Sequence, residues 1–178
     1  MRRWLVVFAA LALTACAQLG SIPDSVTPLA LGPALNHFVA EGRISLRQGA
    51  RSDYLRFRWE HGPENDAVLL MSPLGQGMAQ LERDAGGARL KRPGQPDLVA
   101  PDLRQLAQNM FGTPLPLELL ADRMRGVDAA GTHTVEGWQV RITDTTPFRQ
   151  RRLLRVLEVS RDDIELKMIV DDWDSRDE

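Results

Sequence analysis

Few residues of this chain could do covalent or ligand chemistry, and most are poorly placed for it. The single cysteine, Cys16, has no second thiol, so it can build neither a disulfide nor a cysteine-rich metal site. His37, His61 and His133 are scattered without metal-ligand spacing and read as surface or turn residues. Asp171-Asp172-Trp173-Asp174 offers carboxylates to a cation but reads as a solvated acidic tail. Ser72 stands before Pro73 with no base candidate near it in sequence. GxSxG, HExxH and CxxC are absent, as are the phosphate cradles GxxxxGK[ST] and GxGxxG. The expectation is a protein that is not an enzyme and takes no metal, cofactor or nucleotide.

Cys16 itself has a context that gives its thiol a use. Arg2 and Arg3 precede the apolar stretch Trp4–Leu13, which is too short to span a bilayer and has signal-peptide anatomy. Leu13-Thr14-Ala15-Cys16 then resembles the bacterial lipobox: apolar, small, small, cysteine. That resemblance implies removal of residues 1–15 and acylation of Cys16 on its sulfur and amino group, the only non-protein group expected. One acyl chain gives marginal membrane binding, so stable anchoring takes at least two. The next residue, Ala17, is not the aspartate that resembles an inner-membrane retention signal, which points to the outer membrane. Residues 16–27, small, polar and broken by Pro23, read as a tether, leaving 28–178 as one domain.

Composition bounds the partners. Twenty-two basic against 24 acidic residues leave no electrostatic footprint for nucleic acid. No second segment is long and apolar enough to span a bilayer. The fold must hold without disulfides, and a monomer is expected.

The elements that would position a site follow from periodicity. In Ala67–Leu81, the apolar run Val68–Met71 is followed by Ser72-Pro73-Leu74-Gly75-Gln76-Gly77 and a second alternating run from Met78. Proline presets φ and the glycines permit positive φ, so two strands joined by a protruding hairpin are expected. Leu74 at its tip either folds back on its own hairpin or meets something apolar outside. Leu55, Phe57 and Trp59 share one face of a strand and Arg56, Arg58 and Glu60 the other. Gly42–Leu46, Ala88–Lys91, Trp138–Ile142, Leu153–Val159 and Ile164–Val170 read as further strands. Leu31, Leu35 and Phe38 suggest a short helix within Pro28–Ala40. Leu103, Leu106, Ala107 and Met110, then Leu117, Leu120, Ala121 and Met124, mark two amphipathic helices ended by Gly112 and Gly126. Strands and helices come in runs, which favours a strongly curved antiparallel sheet with helices over one face.

Taken together, the lipobox, Gly42-Arg43-Ile44, Phe57-Arg58-Trp59, Ser72-Pro73-Leu74-Gly75, Gly112–Leu117, Gly137-Trp138 and Ile169–Trp173 resemble, in that order, the outer-membrane lipoprotein receptor family LolB. Arg123-Met124-Arg125 departs from it, standing where the family has an apolar stretch with a tryptophan. The resemblance implies a mainly β (α+β) fold: an incomplete antiparallel barrel lidded by about three short helices around a hydrophobic cavity. It implies a receptor that takes acylated lipoproteins from the periplasmic carrier LolA and inserts them into the inner leaflet of the outer membrane. Pro73, Leu74 and Gly75 would then be a membrane-insertion loop. Strand parity offers Leu55, Phe57 and Trp59 as cavity lining, and the neighbouring run adds Leu69 and Met71. Trp59, Trp138 and Trp173 could equally be core aromatics. A structural or assembly-machine lipoprotein would share the lipobox and β-rich domain, but would need neither a cavity nor an exposed Leu74.

Overall fold

A computed structural model describes residues 34–111, 115–126 and 132–176. The expected signal segment, Cys16, the tether and residues 28–33 of the expected first helix lie outside these residues, as does the 112–114 part of the family motif.

Ten strands form one sheet: β1 (Phe38–Gln48), β2 (Arg51–His61), β3 (Asp66–Met71), β4 (Gly77–Asp84), β5 (Gly87–Arg92), β6 (Gln95–Ala100), β7 (Thr132–Val135), β8 (Trp138–Phe148), β9 (Arg151–Arg161) and β10 (Ile164–Asp174). Their order is β6-β5-β4-β3-β2-β1-β10-β9-β8-β7, all neighbours antiparallel. Each pair except β1–β10 is therefore a sequence-adjacent hairpin, and the sheet stays open between β6 and β7.

Helices α1 (Leu103–Phe111) and α2 (Leu117–Arg125) connect β6 to β7. Asp102 caps α1, its Oδ1 accepting from the Gln105 amide at 2.7 Å. Leu103, Leu106 and Ala107 are buried, and the helix packs on β5 and β6. Arg104 on its outer side donates to Glu136 in the β7–β8 turn at 2.6 and 2.8 Å. So α1 reaches from one edge of the open sheet to the turn beside the other. Helix α2 packs on β9 through Leu120, Ala121 and Met124 and stops at Gly126, whose φ of 88° favours glycine.

The two unexpected arginines of α2 have structural places. Arg123 is buried, and Arg125 donates from Nε to the Leu35 carbonyl at 3.0 Å while its own carbonyl accepts from the Leu35 amide at 2.8 Å. Arg125 thereby fastens the lid to the segment that enters β1.

The bend of the sheet is written into Gly42. The β1–β10 register shifts between Glu41 and Gly42, and a Cβ at Gly42 would lie 2.0 Å from the Ile169 carbonyl oxygen and 2.9 Å from the Phe57 ring. Only glycine admits that approach. The inner face carries the core: Phe38, Phe57, Trp138, Leu157, Met168 and Trp173 belong to one buried cluster that also takes α2.

Several expectations are corrected. Phe38–Ala40 is strand and Leu35 before it is irregular, so the described part of the expected first helix, 34–40, is not helical. The two helices among the described residues stand where the second and third were expected. The strand carrying Gly42 opens at Phe38 rather than Gly42. Strands β6 and β7 were not foreseen. The acidic run 171–174 is no free tail: it completes β10, with Trp173 buried and Asp171 accepting from Arg43 at 2.8 and 2.9 Å. Nor is His61 a surface residue. It ends β2, is 8% exposed and stacks on Phe38 at 4.9 Å.

Candidate functional site

The inner face is not filled to the same depth everywhere. A hollow of about 380 Å³ lies between the sheet and the helices, within the size range of ligand sites. The sheet contributes Ile44 and Leu46 from β1, Leu55 and Trp59 from β2, Val68 and Leu70 from β3, Leu81 from β4 and Met168 from β10. The helical side contributes Leu103, Leu115, Leu117 and Leu120. Aliphatic walls bind by excluding water and impose no direction on what enters. Depressions of about 530 and 420 Å³ exist elsewhere, but ion-paired side chains such as Arg47–Glu165, Arg141–Glu158–Lys167 and Arg58–Glu60 line them, so neither suits an apolar ligand.

Strand register decides which side chains face the hollow. Leu55 and Trp59 line it. Phe57, on the same face, is 1% exposed and lies over Gly42 as packed core rather than wall. For β3 the expected parity is reversed. Trp59 pairs with Val68 and Phe57 with Leu70, so these face inward. Leu69 and Met71 pair with Arg58 and Arg56 and belong to the outer face. The apolar run Ala67–Met71 carries no alternation of its own; only the partner strand reveals its inner side.

One end of the hollow is closed by a polar knot. The Asp66 carboxylate is 2% exposed and accepts from Trp59 Nε1 at 2.8 Å and Arg83 Nε at 2.7 Å, with His61 Nδ1 at 2.6 Å. Burial pushes its pKa up, but the hydrogen bonds from His61, Trp59 and Arg83 outweigh this and hold it below the usual 3.8. The knot fixes the Trp59 ring against the hollow. His61 could be assigned to it only from tertiary structure, because sequence shows one histidine before a turn.

At the opposite end lie the β1–β2, β3–β4 and β5–β6 turns, and Arg51, Met78 and Arg92, one from each of these hairpins, all line the hollow there. Residues 72–76 project there. The Ser72 amide donates to the Gln76 carbonyl at 2.8 Å, the Gly75 amide to the Ser72 carbonyl at 2.9 Å, and the Gln76 amide to Ser72 Oγ at 3.2 Å. Gly75 takes φ 85°. This closed turn leaves Pro73 and Gly75 exposed and Leu74 90% exposed. Leu74 therefore does not fold back on its hairpin. Half-exposed Met78, also in the lining, connects tip and mouth.

Comparison with known proteins resolves what this arrangement belongs to. The family model described as "Outer membrane lipoprotein LolB" matches residues 36–173. The chain belongs to the LolB family. It is 34% identical to the outer-membrane lipoprotein LolB of Thiobacillus denitrificans, over 98% of this chain and 99% of that one. It is 31% identical to the LolB of Chromobacterium violaceum, over 97% and 99%. Among solved structures, a LolA superfamily protein from Nitrosomonas europaea superposes with a TM-score of 0.51 at 10% identity, covering 84% of this chain and 90% of that one. A protein of a family of unknown function from Desulfovibrio piger gives 0.56 at 9%, covering 80% and 86%. At such identities these two speak for the fold alone: an open, curved antiparallel sheet. LolB membership places the chain among outer-membrane lipoproteins.

Proposed function

We propose that this protein accepts acylated lipoproteins from the periplasmic carrier LolA and inserts them into the inner leaflet of the outer membrane, held there by lipid on Cys16. The observation that carries the reading is the pairing of an aliphatic hollow with a 90% exposed leucine at the same end of the sheet. A structural lipoprotein would need neither.

The physical task sets the rest. Each methylene left in water costs about 0.8 kcal/mol, so a sixteen-carbon chain costs on the order of 12 kcal/mol and must stay covered throughout its passage. The chain carries no phosphate-binding motif, so each step must run downhill. The hollow should bind acyl chains better than the carrier does and less well than the bilayer. It does no bond chemistry: its residues cover, release and orient. Trp59, fixed by Asp66, and the aliphatic wall cover the chain; the Pro73-Leu74-Gly75 tip opens the way into lipid.

The test is to mix purified protein with an acylated lipoprotein bound to LolA. Transfer of the lipoprotein, recovered in complex with this protein, is the expected result. Cargo that stays wholly with the carrier would contradict the reading.

A further inference from the structure

Arg92 is out of keeping with its surroundings. It ends β5, follows the register shift after Leu90, and lines the hollow at the end where the hairpin turns gather. Its Nε is sealed from solvent and has no hydrogen-bond partner. Neither a hydrogen bond nor an ion pair engages its guanidinium among the described residues. Other arginines nearby and on the outer face hold carboxylates: Arg51 at the same mouth donates to Asp53 at 2.8 Å, and Arg43 and Arg104 hold Asp171 and Glu136. A buried donor without an acceptor is destabilising, and a ligand that brings the acceptor gains what the empty protein lacks.

The chemistry of that ligand follows from the walls. A hollow lined by Val68, Leu70 and Leu81 takes a long alkyl chain, and one unpaired guanidinium at its mouth takes one oxygen-bearing head. We propose that Arg92 anchors the carbonyl end of the bound acyl chain, donating to the oxygen of the ester or amide that joins the chain to its carrier. This rests on the acyl-chain reading of the hollow. It adds a direction to it: the methyl end enters first and the carbonyl stays at the mouth, near the hairpin tip. The same chemistry could come from a free fatty acid, whose head is a carboxylate.

Full-length protein, its anchor held in amphipol, is titrated with the neutral apolar fluorophore N-phenyl-1-naphthylamine, with empty amphipol as blank. The fluorophore is then displaced with laurate or with the lauroyl ester of glycerol. Arg92→Leu should leave fluorophore affinity within about twofold and raise the concentration of both competitors needed for half displacement about tenfold or more. Arg92→Gln, which keeps a donor, should fall between. Unchanged displacement by both competitors overturns the role of Arg92. A loss confined to laurate overturns the carbonyl anchor in favour of charge attraction to fatty acids. Failure of the unaltered protein to bind fluorophore or competitors overturns the acyl-chain reading itself, and the Arg92 anchor with it.

Discussion

Replacing Leu74 by glutamate separates the hairpin tip from the rest of the protein. The side chain is 90% exposed, so folding gains almost nothing from it, and an exposed substitution of this kind costs within about 0.5 kcal/mol. The turn beneath is held by Ser72, Gly75 and Gln76, mostly through backbone groups, and none of its bonds uses the Leu74 side chain. Melting temperature and acceptance of cargo from the carrier should therefore be close to those of the unaltered protein. Contact with a bilayer is different. Burying a leucine is worth about 1.5–3 kcal/mol, and a carboxylate resists entering the apolar zone. Losing the leucine term alone lowers occupancy of the membrane-inserted state about ten- to hundredfold. Incorporation of labelled lipoprotein into liposomes should slow by that order, with cargo retained on the protein. Leu74→Met, apolar and flexible, should deliver nearly normally. A glutamate variant that delivers at the normal rate would refute the insertion argument. A fall in its melting temperature would show that the tip supports the fold.

Gly42→Ala should cost about 1–3 kcal/mol, because its Cβ would lie 2.0 Å from the Ile169 carbonyl oxygen and the bend must open to admit it; the urea midpoint measures this. Asp66→Ala should cost about 3–5 kcal/mol, since it strips the acceptor from Trp59, His61 and Arg83 in a nearly sealed site; Arg83→Ala, removing a partly exposed partner, should cost less. The same carboxylate gives a pH signature. Its pKa is depressed in the fold, so its contribution is complete above the unfolded value near 3.8 and is lost as pH falls below it. Chemical unfolding from pH 6 to pH 3 should show that loss, and Asp66→Ala should flatten the dependence over the acid end.

Much of the architecture could be read from residue order, for identifiable reasons. Strand β2 alternates Leu55, Phe57 and Trp59 against Arg56, Arg58 and Glu60, and both helices carry stripes ended by glycine. Strand β6 holds Pro96 and Asp97, and β7 is the four polar-leaning residues Thr132–Val135, so neither announces itself. Both are edge strands, where sequence is least constrained by burial. Leu31, Leu35 and Phe38 fit a helical stripe, yet Phe38 is placed by pairing with His61 across β1 and β2. The inner side of Val68–Met71 could not be told within that run, because all four residues are apolar. The buried Asp66 knot unites residues from three strands, a coincidence only register reveals. Arg92 was silent for a different reason: a cation at a strand end is ordinary in sequence and unusual only against an aliphatic wall.

The central claim is that the hollow between sheet and helices holds the acyl chain of the cargo. Its most direct measurement is photocrosslinking with a lipoprotein whose acyl chain carries a diazirine near the methyl end, followed by peptide mapping. Adducts are expected on the inner-face residues Val68, Leu70 and Leu81 and on the lid residues Leu117 and Leu120. Adducts confined to the outer-face residues Leu69 and Met71, or none on the protein at all, would contradict the account.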